Sequence, residues 1–157
     1  MSVDWGIVSA VATLFGVVGG LVSVIILALE IRRNSRAIEG ATVQQLMAFE
    51  TTVQEITLNN AGVYSRGLKS MADLTDEDKL RFGLLVGIKM AYCYSGFIQY
   101  HKGLIGDEMW QAYRASMRAW VTNPNARAIW QEHLAWYPQG FQKVAQEIMA
   151  SISLKQG

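Results

Sequence analysis

One cysteine, two prolines, two histidines and, from Trp5 to Leu29, no charged side chain: these scarcities are the first information in this chain of 157 residues. A lone cysteine, Cys93, excludes an intrachain disulfide and a CxxC metal site. An unpaired thiol fits a reducing compartment. His101 and His133 have no second ligand at HxxxH or HxH spacing, so neither marks a metal centre, and each reads as a surface or capping histidine. A Gly-rich phosphate loop, an HExxH helix and a nucleophile elbow are all missing. Asp76, Glu77 and Asp78 are adjacent on a helix and point apart, so they read as capping acids rather than metal ligands. No catalytic residue, cofactor or metal is expected. Few prolines, no low-complexity tract and no solenoid repeat leave little of the chain to disorder. A net charge of +1 carries no bias toward nucleic acid.

The missing charge is unevenly placed. Only Asp4 is ionised before Glu30, so residues 30–157 hold 14 basic and 12 acidic side chains and have an ordinary soluble composition. Gly6–Leu29 is a run of 24 residues. As a helix it is about 36 Å long, against a hydrocarbon core of about 30 Å. It is expected to be a transmembrane helix, residues 5–29, with Trp5 as an interfacial anchor. A cleaved signal peptide is the rival. It needs basic residues ahead of a shorter apolar core and a small-residue site behind it. Here Met-Ser-Val-Asp precedes the core and Leu-Glu-Ile-Arg-Arg follows it. The segment is therefore read as uncleaved. Arg32, Arg33 and Arg36 at its end place residues 30–157 in the cytoplasm and the short stretch 1–4 outside. The same arginines, with Asn34, form a membrane exit suited to anionic headgroups.

Within the apolar run, Gly6, Ser9, Thr13, Gly16, Gly20 and Ser23 fall on one helical stripe. In lipid, close backbone contact over small residues associates helices, and Gly16 and Gly20 form a GxxxG. The stripe is expected to pack on a second copy or on another membrane subunit. The plainer alternative is that its hydroxyls bond the carbonyls four residues back. If several copies assemble, Ser9, Thr13 and Ser23 line a narrow polar path, although the span has no ionisable group for a charged filter.

Residues 30–58 continue as a juxtamembrane amphipathic helix. Thr42, Leu46, Phe49, Val53 and Ile56 recur at heptad spacing. The stripe either extends the oligomer interface, through Leu46, Phe49, Val53 and Ile56, or is one core face of a bundle. The sequence Asn59-Asn60-Ala61-Gly62 stops the helix, and residues 59–157 are read as a helical bundle. Thr75 followed by three acids starts a long helix ending before Gly103, with Leu80, Leu84, Gly87, Ile88, Ala91, Ser95 and Ile98 as its expected core face. Gly83, Gly87, Ala91 and Ser95 recur every fourth residue, which predicts close approach of another backbone. A second span over Phe82–Tyr100 is disfavoured, because Lys89 near its centre costs about 3 kcal/mol on insertion scales. Gly106 or Asp107, Asn123 with Pro124, and Pro138 open three further helices. Trp110, Tyr113, Trp120 and Trp130 crowd one region, as the lining of an apolar pocket or as a bundle core built on indoles.

The strings "LEIRRNSRAI", "VYSRGL", "FIQYHKGLI", "NPNARAIW" and "YPQGF" occur in that order over nearly the whole chain. In them the sequence resembles a family of small bacterial membrane-anchored proteins with no assigned activity. The most specific part is Glu30, Ile31, Arg32, Arg33, Asn34, Ser35 and Arg36 after the apolar helix. The resemblance implies bacterial origin, one membrane helix, a helical cytoplasmic domain, and Asn34 and Arg36 as candidates for a specific role. It carries no catalytic residue.

The expectation is an all-α chain: one N-terminal transmembrane helix continuing into a cytoplasmic bundle of four or five helices, in the bacterial inner membrane. The expected function is a non-enzymatic, self-assembling scaffold or accessory subunit whose partners are the lipid bilayer and itself or another membrane subunit. The rivals are a small homo-oligomeric ion channel and a tethered binding or sensor module.

Overall fold

A computed structural model describes the backbone of residues 5–153 and the side chains of residues 23–152. Among the described residues the chain is all-helical. Helix α1 runs Trp5–Asn59, α2 Ala61–Lys69, α3 Asp76–His101, α4 Asp107–Val121, α5 Pro124–His133 and α6 Gln139–Ser153, with a 3-10 turn at Leu134–Trp136. Among the described residues no helix is long and apolar enough to cross a membrane. The expected span, 5–29, and the stripe Gly6, Ser9, Thr13, Gly16 and Gly20 fall largely on residues 5–22, whose side chains lie outside the described set.

The helix boundaries follow local chemistry. Thr75 caps α3 by accepting from the Asp78 N–H at 3.1 Å, and Asp76, Glu77 and Asp78 complement the positive helix end. At the other end Gly103 takes φ +68. Its N–H donates to the Tyr100 carbonyl, and the Leu104 N–H donates to the Gln99 carbonyl, both at 2.9 Å. This paired closure needs a left-handed residue, which glycine supplies without Cβ strain. Asn123 Oδ1 caps α5, accepting from the Asn125 and Ala126 N–H groups at 3.0 and 3.2 Å, with Pro124 in the first turn where its missing N–H is not needed.

The same Asn123 also closes α2. Its Nδ2 donates to the Leu68 carbonyl at 2.8 Å, and Asn125 Nδ2 donates to the Gly67 carbonyl at 2.9 Å. Two side chains thus satisfy one helix start and one helix end, and pin the two helices together.

The compact unit begins at Ala41, with the residues up to Gly40 forming a separate unit. This moves the start of the bundle upstream of the expected position 59. The reason is burial: Thr42, Leu46 and Val53 of α1 are buried, and Phe49 packs on the same core. For Leu46 and Val53 the expected extension of an oligomer interface is thereby corrected. Side chains sunk in the chain's own core are not available to a second copy.

Helix α3 is the central element, packed on α2, α4 and α5. Its buried face is Phe82, Val86, Lys89, Met90, Cys93 and Phe97. The expected core face is corrected, since Leu80 and Leu84 are 65% and 60% exposed. Glycine sets the packing on the buried side. A Cβ on Gly96 would run into the Tyr113 ring, and one on Gly67 into Phe82.

Candidate functional site

The indole cluster belongs to this core. Trp110, Tyr113 and Trp130 are buried, and Trp120 packs on the core from one side. Of the four residues expected to line an apolar pocket, Tyr113 also lines a small cavity of about 150 Å³. Phe97 and Phe141, 5.5 Å apart and edge-on, join Tyr94, Tyr137 and Trp110 in one aromatic network.

One charge is enclosed elsewhere in the core. Lys89 is only 6% exposed. Its Nζ donates to Thr57 Oγ1 at 3.2 Å and lies 5.0 Å from the centre of the Tyr64 ring and 4.8 Å from that of Trp120. Helices α1, α2 and α4 each contribute one wall. Aromatic faces stabilise a cation, but less than a carboxylate does. Burial therefore holds the Lys89 ammonium below its ordinary pKa. Burial raises the Cys93 thiol well above its usual range, which makes it a core side chain rather than a nucleophile. Sequence reasoning met Lys89 only as an obstacle to a membrane span. The signal was its register: it falls in step with Phe82, Val86 and Cys93 on the buried face.

A groove opens on the opposite face of α3. Its volume is about 570 Å³, within the usual range of roughly 300–1,000 Å³ for ligand or docking sites. Leu80, Gly83, Leu84, Gly87 and Ala91 of α3 line it, together with Ile129 and Trp136. Nothing lies within 4 Å of a Cβ built on Gly83 or Gly87. The close approach of another backbone expected along this stripe is therefore not found at Gly83 or Gly87 among the described residues. Trp136 is 77% exposed and stacks flat on His133, with ring centres 4.3 Å apart. Lys79 and Glu132 stand on the rim, and Lys79 Nζ donates to Asp76 Oδ1 at 3.1 Å.

A second bare surface lies on α1. Val24, Ile25, Ile26, Leu27, Leu29 and Ile31 are each more than half exposed. Arg32, Arg33, Asn34 and Arg36, the expected membrane exit, are exposed directly after them, and Ser35 Oγ donates back to the Ile31 carbonyl at 2.9 Å. The arginine side chains and the aliphatic run therefore follow one another on a single helix.

Among the described residues no group of three or more His, Cys, Asp or Glu is placed to hold a metal ion. Comparison with protein-family models, with curated proteins and with solved structures found no match to the chain.

Proposed function

We propose that this chain is a non-enzymatic membrane-anchored assembly protein. In this reading the apolar first half of α1 sits in the bilayer, Arg32, Arg33 and Arg36 meet the cytoplasmic headgroups, and the bundle is held at the membrane surface as a scaffold or accessory subunit. The observation that carries it is the run Val24–Ile31, six large aliphatic side chains each more than half exposed, followed directly by the arginines. In water such a run is costly, at about 25 cal/mol for each Å² of apolar surface left wet. In lipid it is the ordinary state of a span, and arginine at its end is an ordinary flank. The resemblance in residues 30–36 agrees with a bacterial inner membrane. Self-association through Gly6, Ser9, Thr13, Gly16, Gly20 and Ser23 completes the proposal.

The test uses the full chain expressed in bacteria. Membranes are washed with alkaline carbonate, and the native chain is compared with Val24→Arg plus Leu27→Arg. Native protein retained in the pellet, with the double variant released, supports anchoring; native protein washed into the supernatant ends it. Light scattering in mild detergent of the native chain and of Gly16→Leu with Gly20→Leu then tests association. A native monomer would remove self-assembly through this stripe.

A further inference from the structure

We propose that residues 41–59 of α1 form a releasable strap across α3 and α4, a docked helix that lifts away while α2–α6 stay folded. The proposal goes beyond the anchoring reading and does not rest on it.

The packing of the bundle is uneven. Close helix pairs link α2 to α3 and α5, α3 to α4 and α5, and α4 to α5 and α6; α1 belongs to none of them. It is held instead by side chains that reach across the gap. Leu46 and Val53 are buried, and the Phe49 ring stands 6.0 Å from that of Tyr92. Two cavities lie along this seam. One, of about 150 Å³, is lined by Leu46 and Glu50 of α1, Tyr92 of α3, and Met109 and Tyr113 of α4. The other, of about 360 Å³, is lined by Gln45, Leu46 and Phe49 of α1 and by Ser95 and Gln99 of α3. Leu46 borders both. Closely packed helices leave few spaces larger than a water molecule between them. Side chains beside such spaces forgo dispersion contacts that the rest of the core makes.

The polar groups along the seam are poorly compensated as well. Gln99 Oε1 is buried with no hydrogen-bond partner among the described residues. Lys89 is buried as a cation, and its hydrogen bond to α1 runs to Thr57 Oγ1, a hydroxyl that itself donates to the Val53 carbonyl at 2.7 Å. Burial holds that ammonium below its ordinary pKa, so the docked state disfavours its charge. The other polar tie is the Tyr92 hydroxyl to the carboxylate of Glu50, an exposed residue that water serves equally well. A buried polar group short of partners gains from any movement that lets water in. Lifting α1 therefore loses the burial of Leu46 and Val53, but it opens Gln99 to water and Lys89 on its Thr57 side. That opposition sets a locally opening element apart from a core helix. Helix α1 is also unbroken from Trp5 to Asn59, so a twist or pull on its first half reaches the strap.

Hydrogen exchange of the full chain, resolved by peptide, tests this beside thiol labelling of Cys93. Cys93 lies on the buried face of α3 and reports opening of the bundle itself. The expected result is exchange over residues 42–58 about tenfold or more faster than over residues 86–97 of α3, with Cys93 unlabelled over the same time. Lys89→Met with Gln99→Leu removes both poorly compensated groups. It is expected to slow exchange of the strap toward that of α3 and to leave α3 as protected as before. Equal protection of α1 and α3 in the native chain overturns the proposal, and so does Cys93 labelling in step with exchange of the strap. Fast exchange that the double variant does not slow also overturns it, because that is fraying of a helix rather than release of a strap. If the double variant loosens α3 itself, Lys89→Met and Gln99→Leu are each read singly against α3, and the native comparison decides alone if both loosen it.

Discussion

Lys89 and Trp120 face each other across the bundle, the ammonium 4.8 Å from the centre of the indole ring. The pair joins α3 to α4 through a cation and a π-face, with the Tyr64 ring and the Thr57 hydroxyl as the other walls. Its energetics are a contest between desolvation and weak compensation. The lowered pKa says that desolvation wins.

Replacing Lys89 by Met is therefore expected to stabilise the bundle. The thioether chain fills similar volume without a buried charge, and comparable replacements are neutral or favourable by about 1–4 kcal/mol. The sign with pH is definite. The folded pKa of Lys89 lies below the unfolded value of about 10.4, so the penalty is fully present at pH below the folded pKa. It is relieved as pH rises through the window between the two. Melting curves of the native chain and Lys89→Met from neutral pH up to the unfolded value of about 10.4 should show the variant's advantage shrinking toward alkali. An advantage that is constant or grows would contradict the desolvation account.

Asn123→Ala removes the α5 cap and the bond to the Leu68 carbonyl together. A lost cap alone costs about 0.5–2 kcal/mol, and the orphaned carbonyl adds to it. Urea titration should show a lower midpoint. Hydrogen exchange should quicken in the last turn of α2 as well as the first turn of α5. A change confined to α5 would mean that Asn125, which also reaches Leu68, suffices for α2.

Two alanine substitutions at glycine should have opposite effects. Gly96→Ala drives a methyl into the Tyr113 ring and is expected to cost about 1–3 kcal/mol. Gly87→Ala meets open space in a helix, where alanine is favoured over glycine by up to about 1 kcal/mol. Thermal denaturation of the full chain decides both signs. Destabilisation by Gly87→Ala would mean that the groove is closed in solution.

Cys93 is expected to be silent to thiol reagents in the folded chain. It is wholly buried and its thiol is held protonated. Labelling should proceed only at the rate of global unfolding and accelerate with denaturant. Rapid labelling of native protein at pH 8 would show that α3 opens locally.

What the sequence determined by itself was what local chemistry decides. Thr75 with its acids, Gly103, and Asn123 with Pro124 mark helix ends whose hydrogen bonds close within a few residues, and the structure has α3 and α5 begin or end there. The uninterrupted α1 was legible from the absence of proline.

The tertiary structure alone decided which faces meet. Along α3 both Leu80–Ala91 and Phe82–Phe97 are apolar at helical spacing, so periodicity could not choose between them. Packing volume chose: the face with Phe82, Met90 and Phe97 fills the interior, while the glycine face, with little volume to offer a core, was left outside. The same limit applied to Leu46 and Val53 and to the indoles, because an apolar side chain carries no mark of which partner will cover it. Hydrophobic burial is non-directional. Only the assembled neighbours of α3 settled that Lys89 would be enclosed and that Gly87 would not.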